Sequence, residues 1–223
     1  MEPLVRIPHI IDITRRITAD MPVWPDDPPP ALEAIATLER DGVQVSRLIL
    51  GTHTGTHLDA PRHFITGGQT VDQLDLAALL GPCCVLDVES RGLHITREDL
   101  ENFDLQAGAR VLLKTRNSRQ PPTQTFRTDF SALEASAAEY FCERRVRLVG
   151  IDGPSVDAWS TPDFPCHRGL LKADILILEN LDLGHVVPGA YGLIALPLNL
   201  VNADGSPIRA LLTPMWSFPQ GPA

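Results

Sequence analysis

Residues 51–64 read GTHTGTHLDAPRHF and set His53, His57, Asp59 and His63 close together, using three of the chain's 7 histidines. Three imidazoles and a carboxylate form an N/O donor set that suits zinc, manganese and similar divalent ions. The four-residue step from His53 to His57 would share one face of a helix. Gly51, Gly55 and Pro61, with Thr52, Thr54 and Thr56, make that helix a poor one. On a straight strand the four odd-numbered positions share a face, but His53 and His57 would stand about 13 Å apart at roughly 3.3 Å per residue. A single ion needs each nitrogen within about 2.1 Å. The segment must therefore bend, and Gly55 is placed to permit it. The small Thr and Gly residues leave room for an ion and a substrate, and the two oxygens of Asp59 can bridge two ions. A polar loop of merely hydrogen-bonded histidines and a closed structural metal site are the competing readings. The second lacks a purpose, because a chain of this length does not need a metal staple.

A second group lies in CHRGLLKADILILENL, residues 166–181, which holds His167 and Glu179. By period 2, Glu179 shares a strand face with Ile175 and Ile177, both expected to be buried. A buried carboxylate needs a cation. His167, in the Pro-containing approach to that strand, can point into the same cavity. Taken alone the pair is also compatible with a water-facing strand end and a surface loop. Other residues carry less. Asp152 precedes Gly153-Pro154 and reads as a turn cap. His9, His94 and His185 are isolated. Trp24, Trp159 and Trp216 lie near turns, where they could cover apolar surface or line a pocket. Cys166 beside His167 suggests a thiol nucleophile, but adjacent residues cannot form a good nucleophile–base pair.

The elements that must position these residues follow from the apolar patterning. Residues 4–18 alternate loosely and read as an N-terminal strand. MPVWPDDPPP, with five prolines, reads as an ordered loop or extended arm. QVSRLILGTH reads as a strand entering the histidine segment. VDQLDLAALLG, stopped by Gly81-Pro82, reads as a short helix. PCCVLDV, ARVLLKT, VRLVGID, DILILEN, GLIALPLNLV and PIRALLTP read as strands. SALEASAAEYFCERR is the clearest helix, with Ser131 and Glu134 in capping-box spacing, and RNSRQPPTQT reads as a mobile loop. Several strands with two or three helices and 20 prolines in 223 residues predict one α/β domain spanning 1–223, with a mixed, largely antiparallel sheet flanked by few helices.

Composition narrows the function classes. The apolar share of 43% and charged share of 21% are those of a soluble globular protein. A net charge of −9 with scattered Lys and Arg argues against a nucleic-acid or anionic-membrane partner. No signal-peptide pattern or membrane-length apolar run is evident. Cys83, Cys84, Cys142 and Cys166 form no CxxC pair, which suits a cytoplasmic protein with reduced thiols.

The first motif, HTGTHLDAPRHF, resembles the H-x-G-T-H-x-D-x-P-x-H signature of the cyclase-like metal-dependent hydrolases, a family that includes bacterial kynurenine formamidases. RLVGIDGPSVD, HRGLL with ILENL, YGLIALPLNL and DGSPIRALL resemble that family in the expected order, from about residue 8 to 213. The resemblance implies a β/β/α swivelling fold that assembles as a dimer or larger homo-oligomer. It implies that His53, His57 and Asp59 bind one divalent ion, with Glu179 completing its shell. Asp59 and Glu179 would bridge to a second ion that His167 also binds, so one or two ions, zinc first and manganese second. It assigns His63 as a proton shuttle off the metal and Trp24 as the contact for an aromatic substrate. The implied activity is hydrolysis of N-formyl-L-kynurenine to kynurenine and formate by a metal-activated water. Hydrolysis of a cyclic amide or imide of the isatin type, or of another small amide or ester, is the alternative within enzymes. A metal-dependent binding or regulatory protein without turnover is the alternative outside them. WSTPDFPCHRGLL departs from the formamidase pattern in having Cys166 at the place of a second histidine, so the pocket wall differs and the substrate is the open point.

Overall fold

The computed structural model describes residues 10–88, 92–120, 125–159 and 161–214. Its strands begin with β1 (Ile11–Asp12), β2 (Ala31–Ala36), β3 (Val45–Ile49), β4 (His57–Asp59), β5 (Leu80–Asp87), β6 (His94–Ile95) and β7 (Arg110–Lys114). They continue with β8 (Ala132–Leu133), β9 (Leu148–Ile151), β10 (Leu176–Glu179), β11 (Gly189–Ile194), β12 (Gly205–Pro207) and β13 (Leu211–Pro214). The α-helices are α1 (Leu38–Asp41), α2 (Arg97–Leu100), α3 (Ala135–Glu143) and α4 (Pro165–Lys172).

Nine strands form one mixed sheet in the order β1-β13-β11-β5-β7-β9-β10-β4-β12. The centre, β5-β7-β9-β10, is parallel. Both flanks are antiparallel. Strand alternation sends Leu58, Leu112, Leu148 and Leu178 into one apolar core. Val111, Leu113, Val149, Ile151 and Ile177 enter the other, where Ala137, Phe141, Leu170 and Leu171 of α3 and α4 cover them. The few-helix, mixed-sheet α/β architecture agrees with the sequence reading. Among the described residues β2 and β3 pair only with each other. They form a ribbon that leaves Leu32, Ile35, Val45 and Leu48 exposed.

Four local expectations are corrected. Residues 71–81 are not one helix but two single 3-10 turns, Val71–Gln73 and Leu76–Ala78, separated by extended Leu74. Asp75 caps the second turn by accepting from the Ala77 N–H at 3.0 Å. Gly81-Pro82 does not stop anything, because it lies inside β5. There Pro82 pairs with β11 alone, ahead of the contact with β7 that begins at Cys84. The Arg110 guanidinium lies against Gly81 and donates to the carbonyls of Ala78 and Pro82, satisfying backbone that the sheet leaves open. Ser131 does not cap α3: Ala132–Leu133 is a strand and Glu134 is the extended residue before the helix. The Ser131 hydroxyl instead donates to the Gly92 carbonyl at 2.7 Å. Of the expected mobile loop at 116–125, Arg116–Arg119 form a 3-10 turn and residues 121–124 lie outside the described residues. His9 and Trp216 also lie outside them.

Candidate metal centre and its cavity

Two strands and one helix bring the chemistry-bearing residues together. β4 carries His57 and Asp59 and pairs antiparallel with β10, in a register that sets Glu179 opposite His57 and Ile177 opposite Asp59. Residues directly opposite share a face, so the three polar side chains leave the sheet on one side while Leu58 and Leu178 enter the core on the other. Gly55 stands just before β4 with φ +67, a left-handed conformation that lets the chain turn and brings His53 back onto Asp59. A side chain there would also meet Ile17 at 3.1 Å. His167 arrives from α4 rather than from the loop expected for it.

The contacts are close. His57 Nε2 lies 3.4 Å from Asp59 Oδ1 and 3.3 Å from Glu179 Oε2. His167 Nε2 lies 3.4 Å from Asp59 Oδ2 and 3.1 Å from Glu179 Oε1. His53 Nδ1 lies 2.7 Å from Asp59 Oδ1. Asp59, His57, His167 and Glu179 are all buried, whereas His53 and His63 are half-buried at the rim. The two rim rings stack with centroids 3.9 Å apart.

The tautomers make the case for a cation. His57 Nδ1 faces the Gly55 carbonyl at 2.8 Å, and His167 Nδ1 faces Asp157 Oδ2 at 2.7 Å. Each Nδ1–H is thus committed to an acceptor, which turns a neutral Nε2 lone pair onto carboxylate oxygens. Lone pairs facing lone pairs need a proton or a metal between them. Asp59 Oδ2 is, moreover, a buried oxygen with no hydrogen-bond partner. The donor set fits a divalent ion: His53, His57 and Asp59 offer ligand atoms all within 4.8 Å of one another, as do Asp59, His63 and His167.

Without an ion, protons carry the compensating charge. Burial disfavours a charged His53, but contacts with Asp204 and Asp59 outweigh it and raise its pKa to about 10. Burial likewise opposes a charge on His167, and Glu179, Asp157 and Asp59 raise its pKa well above the ordinary value. Burial pushes Asp59 up, while His167, His53 and His57 hold it well below the usual carboxylate range.

Two residues that touch the site histidines escaped the sequence reading. Asp157 accepts from the Cys166 and His167 backbone N–H groups at 2.9 and 3.0 Å, and so caps α4 while orienting the His167 ring. Asp204 Oδ2 lies 3.0 Å from His53 Nε2 and 3.6 Å from His63 Nδ1, joining both rim imidazoles. Its neighbour Gly205 leaves the space in which His53 sits, since a Cβ there would come within 2.6 Å of the ring. Both lie in blocks that carry the resemblance, RLVGIDGPSVD and DGSPIRALL, but no local spacing ties them to a histidine: Asp157 is 10 positions from His167 and Asp204 is 151 from His53.

Among the weighed residues, Asp152 is a loop anchor. Its carboxylate accepts from Thr115 and Ser118, through backbone and hydroxyl groups alike, at 2.6–3.1 Å. Cys166 is buried and donates to the Leu133 carbonyl, and burial raises its thiol pKa, which argues against a nucleophile. Trp24 belongs to an aromatic cluster, with ring centroids 5.1 Å from Trp159, 5.2 Å from Phe126 and 6.4 Å from Phe164. Trp24, Phe126 and Phe164 line a cavity of about 910 Å³ that also contains His53, His57, His63, His167 and Glu179.

The sequence and its mixed-sheet fold have counterparts among known proteins. The Cyclase family model matches residues 11–158. The chain belongs to this family. The kynurenine formamidase of Bacillus mycoides is 41% identical over 92% of this chain and 97% of its own length. That of Bacillus anthracis is 40% identical over the same shares. A cyclase-family-like fold recurs in a Bacillus stearothermophilus structure described as a predicted metal-dependent hydrolase. It is 35% identical over 92% of this chain and 97% of that one, with a TM-score of 0.81. Isatin hydrolase A from Labrenzia aggregata, bound to benzyl benzoate, is 26% identical over 93% and 94% of the two chains, with a TM-score of 0.82.

Proposed function

We propose that this cyclase-family protein is a metal-dependent amidohydrolase that converts N-formyl-L-kynurenine and water to L-kynurenine and formate. The observation that carries the reading is the convergence of His53, His57, His167 and Glu179, which line an aromatic-walled cavity, around the buried Asp59 carboxylate. Kynurenine formamidases at about 40% identity across nearly the whole chain support the substrate.

His53, His57, Asp59 and Glu179 would hold one divalent ion, and Asp59, Glu179 and His167 would hold a second. The three imidazoles and two carboxylates suit zinc first and manganese second. Such an ion polarises a carbonyl oxygen and makes water a nucleophile near neutral pH. His57 and His167 keep their Nε2 atoms turned inward, because Gly55 and Asp157 occupy the opposite nitrogens. Trp24 and its aromatic neighbours hold the aryl ring by stacking. His63 takes the proton released as water adds to the formyl carbon and returns it to the aryl nitrogen as the C–N bond breaks. Asp204 orients His63 for both halves of that cycle.

The cyclic-imide alternative draws on the likeness to isatin hydrolase A. Turnover of N-formyl-L-kynurenine and of isatin, read spectrophotometrically, separates the two. Dialysis against a chelator abolishes activity in this reading, and zinc or manganese restores it. Full activity in metal-free protein removes the mechanism, and a metal-loaded protein that hydrolyses no amide leaves the non-catalytic reading. The four free cysteines fit a cytoplasmic setting. Among the described residues no helix is long and apolar enough to cross a membrane. A homo-oligomer would give the exposed β2–β3 ribbon a partner.

A further inference from the structure

The cavity holds a cation that the hydrolytic chemistry does not use. Arg15, in the segment after β1, is half-buried and lines the cavity with Trp24, His57 and Glu179. Its position is fixed through the sheet. The Arg15 N–H donates to Thr56 Oγ1 at 2.8 Å, and that hydroxyl donates to the Asn180 carbonyl at 2.6 Å. Thr56 and Asn180 are the direct neighbours of His57 and Glu179, so the main chain of Arg15 is tied beside the metal-ligand floor.

Its side chain is only partly satisfied. Nη2 donates to the Asp152 carbonyl at 2.9 Å, whereas Nε is buried with no hydrogen-bond partner. Among the described residues Arg15 makes no ion pair. The Asp152 carboxylate, which feels the Arg15 charge, is taken by Thr115 and Ser118. The other arginines of the cavity differ. Arg127 is held by Asp129 through two hydrogen bonds, at 3.0 and 2.7 Å, and Arg16 is exposed. A guanidinium has five donors in a planar fork whose natural complement is a carboxylate. Nη1 makes no hydrogen bond among the described residues and, unlike Nε, is not buried, so it is the donor that a carboxylate entering the cavity meets.

We propose that Arg15 is the specificity residue that binds the amino-acid carboxylate of the substrate while the aryl-formamide end lies on the metal floor. This rests on the aryl-formamide reading above and deepens it. Arg15 then separates formyl-kynurenine from neutral amides and from isatin-like imides, which carry no carboxylate. Lysine, a point charge without the fork, replaces it only in part.

The test uses zinc-loaded protein and two substrates that share the reacting group: N-formyl-L-kynurenine and 2′-formamidoacetophenone, which lacks the amino-acid carboxylate. Arg15→Met raises KM for the first about 10–100-fold, by the loss of a charge-assisted pair, and leaves kcat and the second substrate within about twofold. Arg15→Lys recovers part of the loss. Equal losses on both substrates, or no loss on either, overturn the proposal. A calorimetric titration of unaltered protein with L-kynurenine and with 2′-aminoacetophenone gives a reading that no folding defect can disturb. L-kynurenine binds at least about tenfold tighter through the carboxylate pair, and equal affinities overturn the proposal. If unaltered protein hydrolyses 2′-formamidoacetophenone but not N-formyl-L-kynurenine, carboxylate recognition fails while amide hydrolysis stands. If it hydrolyses neither, the aryl-formamide reading itself fails, and this inference with it.

Discussion

The floor and the wall of the cavity are built by different means. The floor is made of sheet and helix: β4, β10 and α4 hold His57, Asp59, Glu179 and His167, and each carboxylate faces two or more imidazoles. The wall is made of loop residues, Trp24, Phe126 and Phe164, with Trp24 touching the other two edge to face or at a tilt. Strand register sets the floor in increments of a residue and cannot be adjusted by small shifts, whereas aromatic loop contacts can repack. In the proposed reading the bond-breaking chemistry belongs to the floor, and the wall holds the aryl ring while Arg15 adds the choice of a carboxylate. The relatives fit this division, since formamidases and an isatin hydrolase accompany one fold.

This contrast can be broken by variants on either side. The largest effect is expected at the rim, where His63→Ala lowers kcat by about 10²–10⁴-fold, the usual share of a general acid–base, with metal content by plasma emission unchanged. Loss of the metal in that variant would make His63 a ligand and move it from proton transfer into the floor. Next comes Asp157→Asn, which leaves a cap for α4 but removes the charge behind His167. It should cost about 10–100-fold in zinc affinity, as the loss of an orienting partner does, measured by competition with a chromophoric chelator. Unaltered affinity would mean that His167 needs no help to face the ion.

On the wall, Trp24→Ala should raise KM about 3–10-fold, the worth of one aromatic contact, with kcat retained in steady-state assays. A fall in kcat without a change in KM would tie the wall to the chemistry and dissolve the division. The smallest effect is in stability. His53, raised to about 10 in the metal-free fold, contributes stability that is full below about pH 6.5 and lost as pH rises through about 10. An ion must displace that proton. The gap in Tm between zinc-loaded and metal-free protein should therefore widen from pH 7 to 9.5, by about 2–4 °C for each kcal/mol gained. A constant or narrowing gap in scanning calorimetry would mean that His53 does not give up a proton to the ion.

Much of this was legible in the residues. H-x3-H-x-D required the segment to bend if His53 and His57 were to reach one ion, with Gly55 placed to permit it, and Gly55 does adopt a left-handed φ of +67. Period 2 assigned Glu179 to the face of Ile177, which the register bears out. Where the reading failed, tertiary contacts had overridden local signals. Gly81-Pro82 runs through β5 because Arg110 supplies the missing donors. Ser131 follows Gly92 rather than capping α3. α4 carries Pro165 and Gly169, poor helix residues by propensity, and Asp157 stabilises its first turn from outside.

The sequence by itself determined the donor types, the bend and the strand faces, because these depend on residue identity and on spacings of a few residues. Only the tertiary structure decided that Asp204 would join His53 and His63, that Asp157 would aim His167, and that Arg15 would stand over the floor with a donor to spare. Those pairings link residues that lie 10 to 164 positions apart. No local periodicity reaches that far, and they exist only once the sheet has set the order of its strands.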